Sequence, residues 1–416
     1  MISSPSRTLF KAIGPGLLVA CAAIGGSHLV WATRAGAEYG WQLLGLVLLA
    51  NLFKYPFFLY GQKYTAASGE SLLAGYKRKG ILFVYIFLFI NVLTGIINIA
   101  GVSMLAAALL GGFGISVLSL PQLTVVIMVI GAILMLLGHY KLLDKAAKWV
   151  IIALTISTVA ALILAWVNGP VAPPDFEAPS PWTWGSFGFL IMLMGWMPAP
   201  IDLSAWSSLW MFSREKQTGH FATVRETLID FNLGYAVAVL MAVFFLALGA
   251  LVMFGSGESF SSSGIVFSGQ LVQMYAENIG QWSYYLILFA AFVTMLSTSV
   301  TCIDGYPRAL AACTTLIAPR FLPAFRKVHT LWIIVSVSAA SIIILQFVEN
   351  LLQLLGFAAI ISFVTSPVLA AINFWVMSGD NVPENHRPGP VLKTLSWMGI
   401  AFFLLMTAGF IYTEFQ

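Results

Sequence analysis

Gly25-Gly26-Ser27-His28 stands at the centre of the first hydrophobic segment, where a membrane-spanning helix ordinarily carries Leu, Val and Ile. Each glycine weakens a helix by about 1 kcal/mol relative to alanine. Backbone unwound at membrane depth persists only against protein or a water-filled cavity. The sixth hydrophobic segment is interrupted in a matching place, by Gly195-Trp196-Met197-Pro198-Ala199-Pro200-Ile201-Asp202. Paired interruptions in two halves of a membrane chain point to a binding site near the bilayer midplane.

Around these stretches the composition is that of an integral membrane protein. Of 416 residues, 60% are hydrophobic and 9% charged, and the mean hydropathy is +0.92; so few charges cannot keep a soluble surface wet. Eleven segments supply the roughly 20 apolar residues a crossing needs. They lie near 14–36, 41–64, 81–109, 120–139, 147–168, 184–211, 231–254, 281–303, 329–347, 351–377 and 391–413. The net charge of +4 is spread over short loops, which excludes a nucleic-acid partner. Cys21, Cys302 and Cys313 lie in or beside apolar segments without ligand spacing and read as buried thiols. Met1 to Lys11 is short and polar, so no cleavable signal peptide is expected.

The loops set the topology. Arg7, Lys11, Lys63, Lys77, Arg78, Lys79, Lys141, Lys145, Lys148, Arg214, Lys216, Arg225, Arg320, Arg326, Lys327, Arg387 and Lys393 all fall on one side, whereas Asp175, Glu177, Glu258, Glu277 and Glu349 fall on the other. The positive-inside rule then places the N-terminus in the cytoplasm and the C-terminus outside the cytoplasmic membrane. Residues 170–183 form a Pro-rich, acidic external linker between an N-terminal unit, 1–169, and a second unit, 184–378. Five spans in each unit invert one relative to the other, and 379–416 hold the eleventh span. Gly255 to Gln281 reads as a long Gly- and Ser-rich external loop, and Ser213 to Arg225 and Ser378 to Gly389 as polar connectors.

Charges inside spans are costly and therefore candidates for function. His28 lies in the first break, either packed in the core or presented to a ligand. Asp202 closes the second break, where it can cap the following helix or meet the cargo. Lys54, followed by Pro56, is either a structural cation paired with Asp202 or Asp304 or a proton-coupling group. Asp304 and Arg308 are four apart on one helical face, the spacing of an internal ion pair, and read as structural or as an inner gate. Asn91 and Asn98 share a face of the third span, and Ser297, Thr298, Ser299 and Thr301 crowd the eighth; interhelical bonding or an aqueous path suits either group. The chain has no nucleotide-binding loop, local Ser-His-Asp motif or hydrolytic carboxylate cluster, so ATP-driven pumping, catalysis and a cofactor are not expected.

Gly14-Pro15-Gly16, Trp31-Ala32-Thr33, Ala35-Gly36-Ala37-Glu38-Tyr39-Gly40 and Ala50-Asn51-Leu52 resemble the NRAMP family of metal-ion transporters, with a fainter likeness at Gly195 to Leu209. The resemblance implies an all-α, LeuT-like fold: two inverted five-helix repeats plus an eleventh helix, with helices 1 and 6 broken. It also implies alternating access and divalent metal cargo. The family's first-helix motif, Asp-Pro-Gly-Asn, falls on Gly25, Gly26, Ser27 and His28, so its carboxylate is missing. Its Met-Pro-His motif falls on Ala199, Pro200 and Ile201, which keeps the proline and loses the thioether and imidazole. Trp196 takes the position whose backbone carbonyl contacts metal in the family, and the acidic residues of the third helix have no counterpart between Ile81 and Leu110.

A standard transition-metal site needs anionic or soft donors. The substrate-binding candidates are Gly25, Gly26, Ser27, His28, Trp196, Ala199, Pro200 and Asp202; His28 and Asp202 are the metal candidates, and Lys54, Asp304 and Arg308 the coupling or gating candidates. Three readings follow: an NRAMP-type transporter poor for standard transition metals, a transporter of a small polar organic solute, and a non-transporting membrane sensor or scaffold. Gly25, Gly26 and Ser27 leave space, which counts against the third. If His28 meets the ligand, its charge change between roughly pH 5 and 8 makes binding depend on pH. The partners expected are the lipid bilayer and a small ion or molecule; the sequence leaves the oligomeric state open.

Overall fold

The computed structural model describes residues 11–115, 117–137, 140–261, 263–348 and 350–414, without the side chains of residues 140–151 and 347. Arg7, Glu349 and the side chains of Lys141, Lys145 and Lys148 lie outside the described residues. The described elements are all helical: α1 (Pro15–Ala23), a π-helical stretch (Ser27–Ala32), α2 (Thr33–Tyr39), α3 (Leu44–Ser68), α4 (Leu72–Lys79), α5 (Ile81–Gly111), α6 (Leu120–Leu136), α7 (Tyr140–Asn168), α8 (Phe187–Trp196) and α9 (Leu203–Thr218). They continue with α10 (Val224–Val252), α11 (Gly264–Ile279), α12 (Tyr284–Ile317), α13 (Phe325–Phe347), α14 (Leu351–Val364), α15 (Ser366–Met377) and α16 (Pro390–Glu414), with short 3₁₀ turns between some of them. Among the described residues, seven helical stretches are long and apolar enough to cross a membrane, and Leu120–Leu136, Ile152–Asn168 and Trp184–Trp196 are shorter apolar helices.

α5 shows why these segments become spans. Leu82, Tyr85, Phe89 and Leu93 are exposed along one face, as lipid-facing positions must be, while Phe87, Asn91, Thr94 and Asn98 are buried on the other. The spacing of three to four residues on each face is the helical period. Asn91 donates to the Tyr306 carbonyl at 3.2 Å and Asn98 to the Ser362 hydroxyl at 3.4 Å, so both asparagines bond between helices.

Both expected breaks are present, but the first falls at Ile24 and Gly25, so that Ser27 and His28, read as part of it, stand in the π-helical stretch. α1 stops at Ala23 and the chain re-enters helix through the π-helical stretch; α8 stops at Trp196 and α9 begins only at Leu203. The two halves of the first span lie on α10 through glycines. A Cβ on Gly16 would stand 2.3 Å from the Asp230 carbonyl oxygen, and one on Gly234 2.2 Å from that of Gly16. Further along, Gly36 meets the Leu246 carbonyl at 1.9 Å and Gly249 that of Thr33 at 2.2 Å on the same construction. Helices pack this closely in membranes where small residues let the backbones touch.

Long-range contacts gather the basic loops at one end. Lys77 donates to the Leu316 carbonyl at 2.7 Å, the Lys79 ammonium lies 5.2 Å from the centre of the Trp375 ring, and Arg214 donates to the Lys11 carbonyl at 2.9 Å. In the same loops Arg78 bonds Glu70 through two nitrogens and holds its carboxyl below the usual carboxylate range. At the other end, Gln42 donates to the Pro179 carbonyl at 2.9 Å and the Val171 amide to that of Leu251 at 3.1 Å.

Three expectations need correction. The loop expected over Gly255 to Gln281 contains α11, whose Phe267, Leu271 and Tyr275 form a buried stripe at helical spacing; the Gly and Ser residues that suggested a loop lie mainly before it. α10 starts at Val224 rather than near 231, because Thr223 and Glu226 form a capping box ahead of a polar first turn. α9 runs to Thr218, which shortens the connector expected over Ser213 to Arg225.

The glycine crossings generate a prediction. Gly249→Ala should destabilise the protein by about 1–3 kcal/mol, the usual cost of overpacking, whereas Gly45→Ala, with nothing within 4 Å of the added carbon, should keep the melting midpoint or raise it, since alanine is the better helix former. Thermal unfolding of the purified variants in detergent checks the contrast; equal midpoints would mean that α2 and α10 are not interlocked.

Candidate functional site

The two breaks face a shared cavity of about 30 Å³, lined by Gly26 and Ser27 beside the first and Trp196, Pro198, Ala199 and Pro200 from the second. That volume corresponds to about one water molecule. Gly26 is required there because a Cβ would lie 2.5 Å from the Trp196 ring, so the indole rests directly on the glycine backbone. Gly25 faces Thr298 instead, whose methyl carbon would be 3.1 Å from an added Cβ.

Ser27 ties the breaks together. Its hydroxyl lies 2.6 Å from the Ala23 carbonyl, 3.2 Å from the Pro198 carbonyl and 2.6 Å from Nδ1 of His28. The fully buried His28 ring turns towards α10, where Nε2 is 2.8 Å from the Ala238 carbonyl and Phe245 packs edge-on at 6.3 Å. A carbonyl only accepts, so Nε2 carries a proton, and Nδ1 faces the serine hydroxyl. The sequence left His28 either packed in the core or presented to a ligand; the structure keeps its ring out of the cavity lining.

Lys54 is also fully buried. Its ammonium donates to the carbonyls of Met194 and Gly195 at 2.7 Å each and of Ala199 at 3.0 Å. The first two lie in the last turn of α8, where Met194 also accepts from the Met197 amide at 3.3 Å and the helix dipole favours a cation. The expected pairing with Asp202 or Asp304 is therefore replaced: among the described residues no carboxylate oxygen lies within the 4.0 Å of an ion pair. The reason is local, because the broken helix offers acceptors closer than any carboxylate.

Asp202 does not cap α9 through its side chain. Its Oδ2 accepts from Thr94 on α5 at 3.0 Å, and it stands behind the cavity rather than in the lining. Asp304 and Arg308 form the expected ion pair, with Nε to Oδ2 at 2.9 Å and a second nitrogen to Oδ1 at 2.6 Å. Trp210 from α9 donates to the same carboxylate at 3.3 Å, and the His329 ring of α13 approaches it to 3.6 Å. Among the described residues no group of three or more His, Cys, Asp or Glu could hold a metal ion.

The structure thus brings Gly26, Ser27, Trp196, Ala199 and Pro200 together at the cavity, and leaves Gly25, His28 and Asp202 outside its lining. It adds Asn98 and Thr298, flagged only as polar span residues, Cys302, read only as a buried thiol, and Trp206 and Tyr306, which sequence reasoning passed over. Helical spacing was the available signal, since Thr298, Cys302 and Tyr306 recur every four residues on α12. Asp230 was also passed over. Its carboxylate accepts from the amides of Gly14 at 3.1 Å and Gly16 at 2.6 Å, capping α1 from α10.

Against known proteins, the family model described as "Natural resistance-associated macrophage protein-like" matches residues 16–413. The chain is 41% identical over 410 residues to the "Uncharacterized protein PM0681" of Pasteurella multocida, covering 97% of this chain and 92% of that one. It is 26% identical over 265 residues to the "Divalent metal cation transporter MntH" of Levilactobacillus brevis, covering 61% and 56%. Among solved structures, a manganese transporter of Eremococcus coleocola superposes with a TM-score of 0.69 at 16% identity, over 98% of this chain and 87% of that one. Fold and helix order agree with the LeuT-like arrangement expected from the sequence.

Arg308→Met should strip the buried Asp304 of its principal partner and cost about 3–5 kcal/mol, as broken buried pairs do. Adding Asp304→Asn should recover part of the loss. Melting midpoints of the single and double variants test this, and no loss in the single variant would mean that Trp210 and His329 suffice.

Proposed function

The chain belongs to the Nramp family, and on that premise we propose a secondary transporter that moves its cargo by alternating access around the broken first and sixth spans. The shared cavity between the breaks supports this reading. The organisation follows the same premise: an N-terminal repeat over 1–169, an external linker over 170–183, an inverted repeat over 184–378 and a final helix within 379–416. The basic ends face the cytoplasm, which puts the N-terminus inside, the C-terminus outside, and the Asp304–Arg308 pair at the inner gate.

For cargo, the manganese transporter and the MntH relative suggest a divalent metal ion. The residues here argue for a site poor in transition-metal affinity. The lining offers the Ser27, Thr298 and Tyr306 hydroxyls, the Asn98 amide and one thiol, Cys302, with no carboxylate among the described residues; soft or anionic ligands are what such metals select. The observation that carries the reading is the Lys54 ammonium, which holds the carbonyls of Gly195 and Ala199 and sets a positive charge against any cation approaching them. A second reading, a small polar organic solute, draws on the indole nitrogens of Trp196 and Trp206, which are buried and lack hydrogen-bond partners. Such a cargo needs more room than the roughly 30 Å³ between the breaks, and the Trp196 ring lines that space.

Calorimetry with MnCl₂ at neutral pH should give no saturable low-micromolar heat. The triple variant Gly25→Asp, His28→Asn, Ala199→Met should bind Mn²⁺ more tightly, on the order of tenfold or about 1.4 kcal/mol. Low-micromolar Mn²⁺ binding by the wild type would overturn the altered-site reading.

A further inference from the structure

We propose that the Lys54 ammonium is a tethered cation filling a three-carbonyl seat at the broken sixth span, and that the emptied seat binds a free primary alkylammonium ion. The geometry is complete. An ammonium has three protons, and here each has one carbonyl partner, at 2.7, 2.7 and 3.0 Å. The side chain is fully buried, so water does not share in holding the charge. Among the described residues no carboxylate lies within ion-pair distance of it. The carbonyl dipoles and the C-terminal end of α8 hold the charge instead, as unwound carbonyls and half-helix ends hold free ions in discontinuous membrane helices.

The seat shares a wall with the cavity, because Ala199 supplies both the third carbonyl and part of the lining. α3 therefore reaches across to the broken span with its own ion. The wild-type protein then needs no dissolved alkali or ammonium ion to satisfy these carbonyls. The inference rests on this geometry and not on the cargo, so it stands or falls apart from the manganese measurements.

Lys54→Ala removes the equivalent of one n-propylammonium ion, which makes that ion the probe. The variant should melt several degrees below the wild type. n-Propylammonium chloride should restore a large part of the difference in a saturable manner, while leaving the wild type unmoved. n-Propanol has the same shape without charge, and tetramethylammonium has charge without donors; neither should restore it. Equal restoration by n-propanol, which brings one donor and no charge, would mean that the seat does not select a cation, and no restoration by the amine would overturn the seat. Lys54→Gln and Lys54→Leu give a second measure, since glutamine keeps two donors and leucine none. The glutamine variant should be the more stable, because buried carbonyls left without donors are costly. Equal stability of the two would show that these carbonyls need no donor, and would also overturn the proposal.

Discussion

Every peptide group inside a bilayer must find a partner, because hydrocarbon offers none. A continuous helix meets this demand by itself; two broken helices do not. The architecture around the breaks is a set of repairs. Lys54 takes three carbonyls where α8 ends, Asp230 takes two amides where α1 begins, and the Ser27 hydroxyl reaches carbonyls on both sides of the gap. A cation stands at a helix C-terminus and an anion at a helix N-terminus, each as the dipole favours. Three buried polar residues thus supply partners to the unwound backbone around the cavity.

The repairs also bind the two halves of the molecule. Lys54 on α3 holds the sixth span, Asp230 on α10 holds the first, and Thr94 on α5 holds Asp202 beyond the second break. Packing follows the same plan, with Gly195 so close to α14 that an added Cβ would stand 2.0 Å from the Ala359 carbonyl. Close backbone approach and charge–dipole contacts therefore converge on the few residues where helix is absent.

Much of this was legible in the sequence. Hydropathy located the spans, and glycine and proline in otherwise apolar segments located both breaks, since these features act locally. The Asp304–Arg308 pair was legible too, being four residues apart on one helix. What escaped depends on chain distant in sequence. No local pattern says that Lys54 would find carbonyls of the sixth span rather than a carboxylate, or that His28 would turn to Ala238. Asp230 was missed because α10 starts earlier than its apolar run, which left the aspartate just outside the span as read. α11 was missed because the Gly- and Ser-rich residues before it coloured the reading of a helix whose apolar stripe was present.

The glycine crossings on α10 have a mechanical consequence. α1 is notched into that helix at Gly16 and Gly234, and α2 at Gly36 and Gly249, on opposite sides of the first break. A rigid rod held at two points on a second rod can neither slide nor turn. Two shorter rods, each held at one point and joined by a pliant link, still cannot slide, yet each can swing about its own crossing. The gap at Ile24 and Gly25 is that link. It divides what would be a single fixed strut into a pair of levers with separate fulcrums.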